Sequence, residues 1–538
     1  MLYRTRRQGR AYDASRNCLP ASCVAPLFAP RLRGHGQDFT RYASDLGFWQ
    51  SVRRRSCLSL GGFMTTADTR VRTSAAISPR TVIVIAMPII VGYVAIFVLA
   101  MQHTTYDTWG ALWLGPALIA VSLPILLRYA RRLQDLRLGR ILVAALLFKL
   151  VAAYARYLMT ISLYERGDFQ RYSDTGAELR RAFLQGDFSL VQLQSGSRTG
   201  TQFVEIVTGI VYTIIGPSLI GGFLFFSWLS FWGLFFFYRA FRIGVPEGDH
   251  RRYVFLLFFL PSMLFWPSSI GKEAWMTFVL GMAVYGSALL IARQRGATIY
   301  LILGLAGILA VRPHMALLVV AGLAMGYLLR GFGRQRAVAL GKMRTVLGLG
   351  VIGLITLLVT RRVAEFFGVD EFNLDTATAT LEDVERRTEA GESEFTGAGP
   401  TLSNLPMNIV TVLFRPFLLE AHNLQSLMSA VEGTFLMLLF ILSWPRIRTI
   451  PKQLFKHPYV SFCIVYAILF CFMFSAFQNF GNLVRQRVLV FPLILVLLAL
   501  PFIQGRLPFH QNSPGVPEPT TELPSESRDL PSAARRRR

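Results

Sequence analysis

The sequence predicts an all-α, polytopic membrane protein with about 12 transmembrane helices plus two interfacial or re-entrant helices. Of the 538 residues, 53% are hydrophobic and 16% are charged, which is more apolar surface than a soluble fold buries. Long apolar runs recur along the chain, and arginine and lysine concentrate in alternate short loops between them. The formal charge of +25 therefore indicates membrane orientation, and no nucleic-acid partner is expected.

The two ends of the chain differ from the apolar part. Residues 1–80 contain 14 arginines and four aspartates without a sustained hydrophobic period, which predicts a disordered extension or an incorrectly assigned start. Met64, shortly before the first apolar run, is the expected initiator in the second case. Residues 505–538 are rich in proline and serine and end in four arginines, as in a disordered cytoplasmic tail. The transmembrane domain is accordingly expected over residues 81–504.

Twelve apolar runs are long enough, or nearly long enough, to cross about 30 Å of hydrocarbon. They cover residues 82–101, 110–128, 140–162, 219–238, 253–267, 274–292, 298–311, 315–330, 345–360, 427–444, 459–477 and 487–503. Lysine and arginine concentrate in five turnarounds, at residues 128–140, 239–252, 293–295, 330–344 and 446–456. Because such residues favour the cytoplasm, both termini are predicted there, with loops 164–202 and 361–406 outside.

Two further apolar stretches do not fit the count as full spans. Residues 203–217 contain Glu205, and residues 407–420 contain Arg415 and Pro416. Counting either stretch as a crossing reverses the charge bias of every loop that follows. Both are therefore predicted to be interfacial or re-entrant helices on the external face.

The five cysteines indicate neither a disulfide nor a zinc site. Cys18, Cys23 and Cys57 lie in the basic extension, and Cys463 and Cys471 share one apolar run. No pair lies in an external loop, where an oxidising environment would favour a disulfide.

Polar clusters lie at the predicted external ends of the spans. Ionisable groups at membrane depth are costly unless paired or hydrated, so such groups usually mark a site or a pathway. Guanidinium groups bind phosphate in bidentate fashion and lysine binds it as a point charge, which suits a diphosphate on a lipid carrier. The candidates for binding phosphate or sugar are Tyr172, Lys272, Arg312, His314, Arg415, Glu420, His422, Asn482, Arg485 and Arg487.

Three carboxylates are candidates for catalysis. Sugar transfer requires a base for the acceptor hydroxyl, while cations stabilise the departing diphosphate. Asp168 is the first choice because it follows the third span in a Gly-Asp turn, and Asp174 and Glu273 are the alternatives. No cofactor is expected, although Asp168 and Asp174 together could hold a divalent cation.

Each candidate also has a structural interpretation. Arginine and lysine at helix ends commonly extend to the interface. Asp168 suits a helix cap or turn equally well, and His314 and His422 are more often hydrogen-bonded structural residues. The segment PSSIGKE is typical of a helix start, with Ser269 as the cap and Glu273 in the first turn.

Five segments resemble bacterial multispan envelope-glycan enzymes, namely relatives of O-antigen and exopolysaccharide polymerases and of lipid-phosphosugar glycosyltransferases of the C-type fold. They are GDFQRYSD, FWPSSIGKEA, VRPHM, FRPFLLEAHN and NFGNLVRQRVLVFP, within residues 160–495. The resemblance implies that Asp168 acts as or assists the base, and that Arg312, Arg415 and Arg485 hold a lipid diphosphate. A paired acidic motif and a large C-terminal soluble domain are missing, which favours a polymerase over a single-sugar transferase.

The resemblance implies a glycosyltransferase or polysaccharide polymerase of the bacterial cytoplasmic membrane, active in cell-envelope glycan synthesis. It would use a polyprenyl-(di)phosphate-linked sugar donor on the external face. Its partners would be that lipid-linked sugar or glycan, membrane lipid and other envelope-glycan assembly proteins. The alternatives are a transporter or flippase of a lipid-linked or anionic solute, which predicts polar residues at the midplane of several spans, and a non-enzymatic scaffold.

Overall fold

The described part of the chain is α-helical and contains no β-strand. The computed structural model describes residues 79–163, 167–191, 199–332, 339–370, 374–388, 399–421 and 424–502. In chain order the helices are α1 (Pro79–His103), α2 (Tyr106–Arg132), α3 (Leu136–Leu163), α4 (Asp168–Leu184), α5 (Thr199–Ile215), α6 (Leu219–Gly244), α7 (His250–Phe259), α8 (Pro261–Phe265), α9 (Lys272–Ile291), α10 (Ala297–Leu309), α11 (Pro313–Phe332), α12 (Ala339–Phe367), α13 (Leu374–Thr388), α14 (Leu405–Phe414), α15 (Leu424–Leu442), α16 (Trp444–Ile447), α17 (Ile450–Lys456), α18 (Pro458–Phe474), α19 (Phe480–Gln486) and α20 (Phe491–Leu498). Most of the predicted extension and tail, and candidate His422, lie outside the described residues.

Eight of the described helices are long and apolar enough to cross a membrane. These are α1, α2, α3, α6, α9, α11, α12 and α15. The pairs α17–α18 and α19–α20 are bent by 120° and 64°, and counting each pair as one broken span gives ten. The helical class is therefore confirmed, together with a set of helices that suits a multipass membrane protein. The count of about 12 is not confirmed.

Two predicted spans are shorter in the structure. Residues 253–267 form α7 and α8, which are separated at Leu260 because Pro261 disfavours a helical conformation in the residue before it. Leu260 accordingly has extended backbone angles, and Pro261 begins the next helix. The run at 298–311 forms α10, whose 13 residues rise only about 20 Å against about 30 Å of hydrocarbon.

The two predicted interfacial or re-entrant segments are also short helices. Segment 203–217 forms most of α5, which packs along the amphipathic α4. Glu205 of α5 is buried and accepts a 2.9 Å hydrogen bond from Nε of Arg171 on α4. Segment 407–420 forms most of α14 and a 3-10 turn, and the helix ends at its C-cap, Arg415. Neither helix is long enough to belong to the eight.

Helix α9 owes its position to close packing against α6. A Cβ atom added at Gly233 of α6 would collide with the backbone of Thr277, and one at Gly281 of α9 would collide with the backbone of Gly233. Small residues at such positions let two helix backbones approach closely. This packing fixes the start of α9, where Lys272 and Glu273 lie.

Candidate functional site

Helix α4 presents an acidic side chain and a tyrosine to one cavity. It begins at Asp168, directly after an extended glycine, and the Asp168 side chain is 71% exposed. Tyr172 follows one turn later on the same face and is buried. Burial, together with the negative charges of Asp168 and Glu273, raises the pKa of the Tyr172 phenol. The phenol is therefore a hydrogen-bond donor near neutral pH and not a base.

Glu273 is the buried centre of the charged cluster. Its Oε1 atom lies 3.2 Å from Nη2 of Arg485 and 3.4 Å from Nη2 of Arg312. Arg312 also donates a hydrogen bond to Gln486, so α9, α19 and the turn before α11 are joined at one point. The predicted helix start at PSSIGKE is confirmed with Glu273 in its first turn, although the N-cap is Gly271 and not Ser269.

Arg485 links the buried carboxylate to the exposed one. Its Nη2 atom lies 3.8 Å from Oδ2 of Asp168, which is an ion-pair distance and too long for a hydrogen bond. Helix α19 carries Arg485, and its N-cap Asn479 accepts a 3.3 Å hydrogen bond from the backbone of Asn482. Asn479, Asn482 and Arg485 all line the cavity.

A cavity of about 320 Å³ joins these groups. Besides Asp168, Tyr172, Glu273, Asn482 and Arg485, its lining includes three residues that were not predicted from the sequence, namely Arg156, Trp266 and Gln425. The Arg156 guanidinium lies 4.1 Å from the ring centre of Phe265 and 4.6 Å from that of Trp266. An arginine deep inside the apolar run 140–162 was itself the signal that could have identified it.

The cluster around this cavity carries an excess of positive charge. The cations Arg156 and Arg485 line it, and Arg312 and Lys272 lie next to Glu273. These four cations face two carboxylates, Asp168 and Glu273. An anionic ligand would therefore find donors from several directions, with a carboxylate beside it.

Arg415, Glu420 and Arg487 form a neighbouring cluster outside the cavity. Nη2 of Arg415 donates to Oε1 of Glu420 at 2.6 Å, and its guanidinium lies 5.3 Å from the Phe480 ring centre. Arg487 is fully buried, donates to the carbonyl oxygen of Arg415 at 2.9 Å and lies 4.0 Å from Glu432. The structure therefore places these three candidates beside the cavity and not in its lining.

His314 and Asp174 lie elsewhere. His314 lines a separate apolar cavity of about 540 Å³ between α11, α12, α13 and α18, where its Nδ1 atom is buried without a hydrogen-bond partner among the described residues. Asp174 is exposed on α4, about 120° around the helix from Asp168, and does not line the charged cavity.

No family model, curated protein or solved structure matches this chain. Its chemistry must be inferred from the side chains that meet in the charged cavity. Within the described ranges, no group of three or more histidine, cysteine, aspartate or glutamate side chains has the arrangement of a metal site.

The charged and apolar cavities share two chain segments. Arg312 belongs to the charged cluster, and His314, two residues later, lines the apolar cavity. Phe477 likewise lines the apolar cavity, while Asn479 lines the charged one. Gln478 between them donates to Glu385 of α13. The charged cavity and the apolar cavity therefore lie side by side.

Proposed function

We propose that the protein is a membrane glycosyltransferase or polysaccharide polymerase that uses a polyprenyl-(di)phosphate-linked sugar donor. The observation that carries the proposal is the exposed carboxylate of Asp168, 3.8 Å from Arg485, in a basic cavity of about 320 Å³. Arginine side chains supply bidentate donors for phosphate, and a carboxylate supplies a base. The product would enter cell-envelope glycan synthesis.

The proposed reaction uses the two sides of the charge cluster differently. Asp168 removes the proton of the acceptor hydroxyl as that oxygen bonds to the anomeric carbon of the donor sugar. The bond from that carbon to the diphosphate oxygen breaks, and the diphosphate leaves with the electron pair. Arg485 and Arg156 stabilise the charge that develops on it. Glu273 holds Arg485 and Arg312 in place.

The apolar cavity supports a lipid-linked donor. A polyprenyl chain whose diphosphate lies against Arg485 needs an apolar site nearby, and the 540 Å³ cavity adjoins the same chain segments. Its walls include Leu317 of α11, Leu381 of α13 and Phe472 of α18. Because the chain leaves bilayer hydrocarbon that is as apolar as this cavity, the cavity would orient the chain, and the charged groups would supply most of the affinity.

The orientation follows from loop charge. Arginine-rich segments 128–140 and 239–252 lie at the opposite end of the helices from the charged cavity. The bias of such residues to the cytoplasm supports an external cavity in the bacterial cytoplasmic membrane, with both termini inside. Counting α7–α8 and α10 with the ten spans gives about 12 crossings.

A transfer assay tests the function. Purified full-length protein would be given a polyprenyl-diphosphate oligosaccharide, and the glycan products would be resolved by mass spectrometry. Loss of a general base typically lowers the rate by about 10²- to 10⁴-fold, so Asp168→Asn should lower transfer at least about 100-fold. The matched control is Glu178→Gln, an exposed carboxylate on the same helix outside the cavity, which should stay within about twofold.

Two results would count against the proposal. Native turnover in the Asp168→Asn protein would show that Asp168 is not the base. Movement of the lipid-linked donor between leaflets without any sugar transfer would favour a flippase. A flippase should have polar groups near the midplane of several spans, whereas the charged cavity of this protein lies at helix ends.

A further inference from the structure

A second polar cavity lies at the other end of the same helices. Its volume is about 350 Å³, and it lies between the start of α3, the end of α6 and the start of α7. Arg137 of α3 lines this cavity, whereas Thr160 of α3 lines the charged cavity described above. At 1.5 Å per residue these two positions are about 35 Å apart, roughly the thickness of a bilayer.

Three arginines of this cavity form no ion pair within the described ranges. They are Arg137, Arg242 and Arg251. Of the three, Arg242 donates a long hydrogen bond, 3.4 Å, from Nη1 to the Tyr238 hydroxyl. Three guanidinium groups around one cavity repel one another, and an anion between them would relieve that repulsion.

The two carboxylates that line the cavity are already engaged elsewhere. Oδ1 of Asp135 accepts a 3.0 Å hydrogen bond from the backbone of Leu138 at the start of α3. Oδ1 of Asp249 caps α7 through the backbone of Arg252, and its Oδ2 accepts from Arg446 at 3.0 Å. Neither carboxylate forms an ion pair with any of the three arginines.

His250 lies beside the arginines, and a backbone contact holds its ring. Its Nε2 atom donates to the Pro246 carbonyl at 2.9 Å, which leaves Nδ1 of the neutral ring as an acceptor. Nδ1 is buried and has no partner in the described part of the chain. Because Nδ1 is sealed from solvent, it is not open to a ligand in the cavity.

We propose that this second cavity binds a phosphate-bearing anion, held by Arg137, Arg242 and Arg251. The phosphate would come from an anionic lipid headgroup or from a free phosphate compound. The site is separate from the proposed transfer site.

Binding measurements on purified full-length protein in phosphatidylcholine nanodiscs test the site. One arm titrates radiolabelled inorganic phosphate at constant ionic strength, and the other measures retention of phosphatidylglycerol added to the nanodisc by native mass spectrometry. The cavity variant is Arg137→Ala with Arg251→Ala. The control, with the same charge change, is Arg132→Ala with Arg140→Ala, two exposed arginines nearby that do not line the cavity.

The cavity variant should bind about tenfold or more weakly, and the control should stay within about twofold. Both altered arginines are exposed, so folding should persist, and Arg137→Lys with Arg251→Lys provides a second variant with unchanged charge and weaker bidentate binding. Phosphate binding in the first arm identifies a free compound as the source. Binding of phosphatidylglycerol alone identifies a lipid headgroup. The proposal fails if neither probe binds, or if the control loses as much affinity as the cavity variant.

Discussion

Two arginines that are two residues apart have different environments. Arg485 lines the charged cavity and contacts Asp168 and Glu273. Arg487 is fully buried and donates to the backbone carbonyls of Arg415 and Ser429. The sequence alone predicted both arginines as phosphate ligands. Residues two apart on a helical turn point about 160° away from each other, so a helix here places only one of the two in the cavity, and the sequence did not indicate which.

This difference predicts separate effects of mutation. Arg487→Met should destabilise the protein by about 3–5 kcal/mol, because it leaves the buried Glu432 without its cation. Arg448→Met, the same change at an exposed position, should have little effect. Thermal unfolding in detergent, followed by intrinsic fluorescence, measures both. Equal unfolding temperatures for the two variants would show that the Arg487 contacts do not support the fold.

Tyr172 gives a prediction about pH. Its pKa is raised above the ordinary value of 10.0, so the phenol keeps its proton throughout an assay range of about pH 5 to 9. Tyr172→Phe should therefore lower transfer through loss of a donor without moving the pH profile. Rates of both proteins across that range provide the check. A shift of either limb of the profile in the phenylalanine variant would mean that Tyr172 titrates during turnover.

At the scale of elements, the broken helix α7–α8 depends on a distant lysine. Pro261 interrupts the predicted span, and α8 is only five residues long. Nζ of Lys149, buried in α3, donates to the carbonyl of Leu264 at 3.3 Å and also to that of Met263. The proline was visible in the sequence, whereas the contact with Lys149 was not, because 115 residues separate Leu264 from its donor.

Removing that donor should weaken the helix pair. Lys149→Met leaves the Met263 carbonyl without its donor, at a cost of about 1–3 kcal/mol, whereas the Leu264 carbonyl keeps its hydrogen bond from the Ser268 hydroxyl. Lys452→Met is the control, since Lys452 is exposed. Unfolding temperatures in the same detergent compare them. If Lys149→Met were as stable as the native protein, the lysine would be dispensable for this packing.

At the scale of the whole molecule, loop charge and polar segments predicted much of the charged cluster. Asp168, Lys272, Arg312 and Arg485 meet around Glu273 as expected, while Arg415 lies beside them against α19. The sequence could suggest this convergence through topology, but it could not supply distances. Arg485 and Glu273 are 212 positions apart, so only the packing of α9 against its neighbours defines their contact.

The sequence did not predict the shape of the apolar cavity or of the second polar cavity. The apolar cavity needs α13, which lies in the segment 361–406 that was expected to be an external loop. The phosphate-binding proposal for the second cavity needs Asp135 and Asp249 to be engaged as helix caps, which only hydrogen-bond geometry reveals. The charge pattern alone predicts that the basic loops around the second cavity face the cytoplasm, but it does not identify a ligand.

The most direct measurement is a cryo-EM map of the full-length protein with a bound polyprenyl-diphosphate oligosaccharide. We expect phosphate oxygens within about 3 Å of Arg485 and Arg156, the first sugar facing Asp168, and the polyprenyl chain in the apolar cavity. Diphosphate density at any other position, with the charged cavity holding only solvent, would contradict the proposed function.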